Sequence, residues 1–308
     1  MKKEILYSLK SPYRDSLDVV GYRFGSGKKS VAIVGAIRGN EVQQMYICSQ
    51  LIQIFRKLES ENRFAENMEL LVIPCVNYYS MNIGKRFWPM DNTDINRMFP
   101  GYDLGETTQR IADGLFQKLQ GYTYGIQLTS FYQTGNFLPH VKMMETQLTE
   151  HNLMKWFGLQ YGIIRTPRPY DTTTLNYNWQ IWETNAFSLY SSETDRIDAQ
   201  SCEVIVQAIL RFLNYAELLT VHTAPGYQTE LVEESNISQI RTGQGGIFQP
   251  CVQIGERVTN GQLLGKILHP FEGDVIAEIR ADHTGILYFA YNQPLIHENT
   301  MCFKIIHS

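Results

Sequence analysis

The sequence predicts an α/β protein: a mostly parallel sheet flanked by helices over residues 1–217, then a small all-β barrel or sandwich domain over residues 218–308. Three observations predict it. Short apolar runs alternate with amphipathic stretches as far as about residue 215, the pattern of strands joined by helices. Beyond about residue 220 helical periodicity disappears, and Gly-, Val- and Ile-rich runs broken by turns take over. That second stretch partly repeats itself, GIFQPCVQIGERVTNGQLLGKI (246–267) against GILYFAYNQPLIHENTMCFKI (285–305), which marks two related half-units.

Taken in order, residues 17–24 and 30–37 read as strands, the second apolar enough to be central and buried on both faces. Residues 41–58 read as a helix, because Met45, Ile47, Cys48, Leu51, Ile52, Ile54 and Phe55 recur at helical spacing. Residues 69–74 form another buried strand. Residues 75–105 are loop-rich, punctuated by Pro89, Asn92, Pro100, Gly101 and Gly105. A helix over 107–119, a strand over 124–129, a loop over 135–139, a helix over 146–157, a short strand over 162–165 and a long amphipathic helix over 199–214 complete the series. Residues 164–182 carry prolines and read as an irregular pocket wall with Arg165, Arg168, Asn176, Tyr177 and Trp179. Ligands of such sheets sit beyond the carboxyl ends of strands, so residues 38–41 and 127–130 are expected to face one cleft.

In the second domain VTNGQLLGKI and IHENTMCFKI align without a gap, and Gly261 falls opposite Asn299. Those are the residue types most tolerant of a left-handed turn. A barrel or sandwich of the biotinyl/lipoyl hammerhead kind follows. A carrier domain would show a lysine at the hairpin between its halves; RADHTG (280–285) has none, which excludes that role and leaves a structural lid or dimer element.

With 44% hydrophobic and 19% charged residues in 308, the chain can bury real cores in one large or two ordinary domains. A net charge of −4 without a Lys/Arg block lacks the footprint of a nucleic-acid binder. Cys48, Cys75, Cys202, Cys251 and Cys302 are odd in number and never spaced CxxC, which suits reduced thiols in a cytoplasmic protein. MKKEILYSLKSPYRDS at the start lacks a signal peptide's apolar region, and the longest apolar runs are too short to span a bilayer. No nucleic-acid or membrane partner is therefore expected, while a homo-oligomer stays open. Aromatics gather around 78–102 and 122–137, as in a walled pocket, an interface or a packed core.

Chemistry is carried first by VAIVGAIRGNE (31–41): an apolar run, a tight Gly/Asn turn, then an acidic residue opening a helix. This resembles the first metal motif of the succinylglutamate desuccinylase/aspartoacylase family, relatives of the zinc carboxypeptidases. The family pattern is Gly-x-x-His-Gly-Asn-Glu, and its His and Glu bind zinc. Glu41 stands at the Glu position, but Arg38 stands at the His position. Arginine offers five N–H donors and no acceptor and stays protonated, so it cannot ligate zinc.

The stretch NYYSMNIGKRFWPMDNTDINRMFPG (77–101) is similar to a second family pattern, an Arg followed by Asp-Leu-Asn-Arg-x-Phe-Pro-Gly. Asp94, Ile95, Asn96, Arg97, Phe99, Pro100 and Gly101 reproduce it with one Leu-to-Ile change. The resemblance implies that Asn96 and Arg97 hold a substrate carboxylate, with Arg86 at the other family arginine; a guanidinium fork suits that task. The plain alternative is that Asp94 and Arg97 staple an irregular loop. The family's second metal motif, Asp-Leu-His, aligns with Gln127-Leu128-Thr129, which puts Thr129 at the second histidine; a shifted register would put Gln127 there instead, and neither residue is a good zinc ligand. The family's catalytic glutamate aligns with Tyr190, with Glu193 three residues on.

One of three metal ligands therefore remains (positions 38, 41 and 129), and no zinc or other cofactor is expected. The guanidinium of Arg38 is expected to take the space and part of the charge of zinc and to pair with Glu41, although a partly exposed loop residue is the plain alternative. No HxH or HExxH pair offers another metal site, and His140 is expected to line the substrate pocket. The resulting expectation is a degenerate family member, a pseudoenzyme that binds a carboxylate-bearing N-acyl amino acid or peptide end without zinc-dependent amide hydrolysis. Two alternatives stand beside it: an active deacylase using Tyr190, His140 or Glu193 in proton transfer, and a structural subunit with a vestigial pocket.

Overall fold

The structure, a computed structural model, describes residues 1–11, 15–147, 149–193 and 196–308. Contacts divide the chain into two units, Met1–Ser130 with Pro139–Leu231, and Phe131–Leu138 with Val232–Ser308. The boundary near residue 231 replaces the expected one at 217/218. Its physical reason is that residues 218–231 still serve the first unit: Leu218 and Leu219 join its core, and the chain then enters a strand of its sheet.

The strands to that point are β1 (Lys2–Leu9), β2 (Leu17–Gly25), β3 (Lys29–Ala36), β4 (Met68–Cys75), β5 (Tyr124–Thr129), β6 (Asn136–Phe137), β7 (His140–Met144), β8 (Tyr161–Arg165), β9 (Asn185–Tyr190) and β10 (Glu230–Glu233). All but β6 build one sheet in the order β1-β2-β4-β3-β5-β9-β7-β8-β10. The middle strands β4, β3, β5 and β9 run parallel, and antiparallel pairs flank them. As its composition requires, β3 is central and buried along nearly its whole length.

The helices are α1 (Val42–Ser60), α2 (Tyr78–Asn82), α3 (Thr107–Leu119), α4 (Leu175–Ile181) and α5 (Ala199–Tyr215). The stripe Ile47, Cys48, Leu51, Ile52 and Phe55 of α1 packs with Ile205, Ile209 and Phe212 of α5 on one sheet face. Alternation along the strands sends Val31, Ile33, Ile126, Leu128, Phe187, Leu189, Val141 and Met143 to that face. The neighbours Ala32, Val34, Leu71, Ile73 and Ala186 meet Ile111, Leu115 and Phe116 of α3 on the other. Toward β9 and β7 that second face turns polar, because Gln127, Thr129, Ser188, Tyr190, His140 and Lys142 occupy the alternate positions.

Four elements differ from expectation. β1 pairs with β2 through a segment with no clear sequence signal, and β7 lies just beyond the 135–139 loop. α4 forms inside the stretch expected to be irregular, started by Thr174, whose side chain accepts from the Tyr177 N–H. Of the helix expected over 146–157 only His151–Phe157 is helical, as a 3-10 turn; Leu148 lies outside the described residues.

The second unit holds β6 together with β11 (Ile237–Arg241), β12 (Gly246–Pro250), β13 (Arg257–Val258), β14 (Leu263–Leu268), β15 (Val275–Arg280), β16 (Gly285–Ala290), β17 (Leu295–Ile296) and β18 (Met301–His307). They form two sheets, β11-β18-β16-β13 with β6 on β16, and β15-β14-β12-β17. Phe248, Leu264, Ile267, Leu287, Phe303 and Ile305 share their core. The internal repeat is visible in the strands, long-short-long for β12, β13, β14 and again for β16, β17, β18. Gly261 and Asn299 both sit at positive φ, +81° and +62°, after the short strand of each half. Among the described residues no helix is long and apolar enough to cross a membrane.

Candidate functional site

The site is assembled where β3 ends and α1 begins. Glu41 is completely buried. Its Oε2 accepts the backbone N–H groups of Ile37 at 3.1 Å and Arg38 at 3.0 Å. Its Oε1 accepts the Ser130 hydroxyl at 2.6 Å and Arg38 Nη1 at 3.2 Å. Gly39 lets the turn close: a Cβ there would stand 2.3 Å from the Lys85 carbonyl oxygen. The same approach lets the Gly39 N–H donate to the Arg86 carbonyl at 2.9 Å, which holds residue 86 beside the turn.

Arg38 is only 6% exposed, so it is not a loose loop side chain. Its guanidinium forks between two carboxylates. Nη1 donates to Glu41, while Nε and Nη2 donate to Asp94, with Nη2 to Oδ2 at 2.9 Å. Burial alone would lower its pKa; the charges of Glu41 and then Asp94 outweigh burial and raise it. Asp94 also accepts the Asn96 N–H at 3.0 Å, which caps the 3-10 turn Ile95–Arg97.

Arg86 lies beside this cluster and, among the described residues, has no carboxylate paired with it. Its Nη1 donates to Asn40 Oδ1 and to Ser130 Oγ, both at 3.1 Å. Burial, followed by the nearby charge of Arg38, pushes its pKa down to about 10. The guanidinium of the expected Arg97 donates to the Tyr170 carbonyl, lies over the Tyr170 ring and stands 3.9 Å from Asp171. Arg165 shares Asp171 at 2.9 Å, and Arg168 donates to the Tyr170 hydroxyl at 2.9 Å. Arg97 is thus a staple, though to Tyr170 and Asp171 rather than to Asp94. Asn96 is buried and its Oδ1 accepts from Gln127 Nε2 at 3.1 Å.

Thr129 and Tyr190 are neighbours across β5 and β9. The ring of Tyr190 stacks on His140 at 4.6 Å, and Lys142 Nζ lies 4.8 Å from the same ring's centre. His140 has no exposed surface and stands beside Tyr190 on the neighbouring strand, so its ring packs on Tyr190 rather than lining an open pocket as expected. Glu193 belongs to another group: its carbonyl accepts from Gln43 Nε2 at 2.8 Å, and its Oε2 is buried without a partner among the described residues. Of the expected residues the structure therefore brings Arg38, Glu41 and Arg86 together and sets Thr129, Tyr190 and His140 along one sheet face. Ser130 and Asp94 are the members that sequence reasoning missed. Ser130 follows the last residue of β5, where alternation no longer assigns a face, and Asp94 was read only as a letter of a loop pattern.

The donor set does not fit zinc. A ligand must present a lone pair, and tetrahedral sites take theirs from Cys, His, Asp or Glu. Glu41 already accepts four hydrogen bonds, Arg38 has nothing to offer, and the hydroxyl of Ser130 is turned toward Glu41. What the arrangement can do is bind an anion or a carbonyl: Nε and Nη2 of Arg86 donate to no described residue, next to a polar sheet face.

Comparison with known proteins identifies the family and the fold. A family model described as "Succinylglutamate desuccinylase/Aspartoacylase catalytic domain" matches residues 27–216. The N-alpha-acetyl-L-2,4-diaminobutyric acid deacetylase of Halomonas elongata is 24% identical over 252 residues, covering 77% of this chain and 72% of the relative. A succinylglutamate desuccinylase from Silicibacter sp. TM1040 superposes with a TM-score of 0.83 at 18% identity, covering 99% of this chain and 93% of that one. The product-bound ectoine utilization protein EutE (DoeB) from Ruegeria pomeroyi gives 0.79 at 19% identity, covering 96% and 90%. At such identities these structures speak for the fold.

Proposed function

This chain belongs to the succinylglutamate desuccinylase/aspartoacylase family, and from that premise we propose that it is a metal-free member that binds a carboxylate-bearing N-acyl amino acid or peptide end. One observation carries the reading: Arg38 occupies the family's histidine position and binds Glu41, the single family ligand left, so that both oxygens of Glu41 are committed. A guanidinium at that place supplies fixed positive charge without an open coordination position and without a way to activate water. Arg86 is the group that meets the ligand, because it is a buried cation with no carboxylate partner among the described residues, and a ligand carboxylate would complete it.

Two measurements test this. The protein is dialysed with zinc, then without it, and its metal content is determined; well under one zinc per chain is expected, and a stoichiometric amount would overturn the reading. A thermal-shift screen of N-acyl amino acids, dicarboxylates and short peptides should raise the melting temperature for some carboxylates. Indifference to all of them would favour a structural subunit with a vestigial pocket.

A second reading, deacylation without metal, draws on the 2.6 Å hydrogen bond from Ser130 to Glu41. That is the contact a nucleophile makes with a base. It is the weaker reading, because both oxygens of Glu41 are already committed to three other hydrogen bonds. Mass analysis after treatment with a serine-reactive fluorophosphonate separates the two, since only the second predicts an adduct on Ser130.

A further inference from the structure

Arg38 and Arg165 sink into the first unit on carboxylates of the chain: Arg38 meets Glu41 and Asp94, and Arg165 meets Asp171. Lys142 does not. It rises from the middle of β7 and is half-buried, yet no carboxylate among the described residues pairs with it. Its neighbours on the polar sheet face carry no charge. Ser188 stands opposite it on β9 and Ile163 on β8, and the Asn176 amide donates to the Ser188 hydroxyl.

The lean of the side chain is informative. Lys142 pairs with Ser188 across the ladder, but its ammonium lies 4.8 Å from the centre of the Tyr190 ring, two residues nearer the carboxyl end of β9. It therefore leans toward the end of the sheet where Ser130 holds Arg86. A ring face compensates an ammonium only in part, since it neutralises no charge and satisfies none of the three N–H donors as an oxygen would. Arg86 and Lys142 flank one strand: Arg86 donates to Ser130 just past β5, Lys142 belongs to β7, and β9 with Tyr190 runs between. Two strand spacings, about 10 Å, separate β5 from β7, so the two cations offer two separate places for negative charge.

We propose that Lys142 is a second anion anchor of the site and selects a ligand with two acidic ends, a carboxylate held by Arg86 and a further anionic group held by Lys142. The inference rests on the role given to Arg86 above. The two cations divide the work by shape. The open edge of the Arg86 guanidinium, Nε with Nη2, matches a carboxylate side-on. A lysine ammonium is a compact point charge that sets no such requirement, so its partner is a carboxylate or a phosphate-like group. A ligand acidic at one end only would satisfy Arg86 and leave the half-buried ammonium unanswered, which is how Lys142 discriminates.

Isothermal titration calorimetry on the full chain tests this with N-acylglycines whose acyl chain, about four to about seven carbons long to span the strands, ends in a carboxylate, an uncharged amide or a phosphonate. For at least one length a charged end is expected to bind about tenfold tighter or more than the amide end. Lys142→Met should remove that preference while the amide-ended probe binds as before, and Lys142→Arg should restore most of it. The charged end that gains more tells a carboxylate partner of Lys142 from a phosphate-like one. Melting temperatures of the variants serve as the folding control. Equal binding of charged and amide ends, or a preference that survives Lys142→Met, overturns the inference alone, provided that Arg86→Met still abolishes binding. Binding of no probe, or binding indifferent to Arg86→Met, overturns the role of Arg86 as well.

Discussion

Two arginine clusters in the first unit invite comparison, one around Arg38 and one around Arg97. By letters alone, the first belongs to a motif that has lost its histidine and the second to a motif kept almost whole. The partners reverse that impression. Arg38 makes a closed ion cluster with Glu41 and Asp94 that leaves no coordination position. Arg97 keeps its place in the pattern, yet its guanidinium is tied to Tyr170 and Asp171 in a half-exposed loop. A changed letter can engage neighbours that did not change: Asp94 is unaltered in the pattern, and here it answers Arg38.

The comparison is broken or sharpened by four substitutions. Arg38→Ala is expected to have the largest effect, a loss of about 3–5 kcal/mol, because it strands buried carboxylates without their cation; urea unfolding measures it, and a loss under about 1 kcal/mol would show that the cluster is not the strut described. Glu41→Gln keeps an acceptor for the two backbone N–H groups but removes the charge facing Arg38, so a smaller loss of about 1–3 kcal/mol is expected by the same measurement. Arg86→Met removes a buried cation that has no carboxylate, so stability should hold or rise while every carboxylate-induced thermal shift disappears. A surviving shift would move the binding role elsewhere. Arg97→Ala should cost within about 1 kcal/mol, since its ion pair is long and its side chain 37% exposed. Ligand-induced shifts should persist in that variant; their loss would return Arg97 to the ligand.

Much of the fold could be read from the chain because burial writes itself into periodicity. β3 and α1 are visible for that reason, as is the change of texture near residue 220. β1 was hidden because an outer strand is exposed along one side and lacks an apolar rhythm. α4 was hidden because prolines precede it and its start depends on a single capping threonine. Within the site, Arg38 and Glu41 were legible as a pair from their spacing and the impossibility of arginine binding zinc. Asp94 as the third member was not, since it comes from a loop 56 residues away and nothing local reports that approach. His140 misled for a related reason: its place beside Tyr190 on the neighbouring strand buries the imidazole against that ring, which spacing alone does not report.

The polar sheet face has a consequence for how this chain evolves. Gln127, Thr129, Ser188, Tyr190, His140 and Lys142 alternate with Leu128, Phe187, Leu189, Val141 and Met143, which fill the opposite core. A slip of one residue in β5, β9 or β7 would thrust amides, hydroxyls and a charge into that core, so the same residues that make this sheet face polar also proofread strand pairing. Selection for correct assembly alone would hold them polar even in a lineage whose cleft had nothing left to bind. Their persistence among descendants would be a record of folding, and only ligand measurements on the cleft itself can speak for its use.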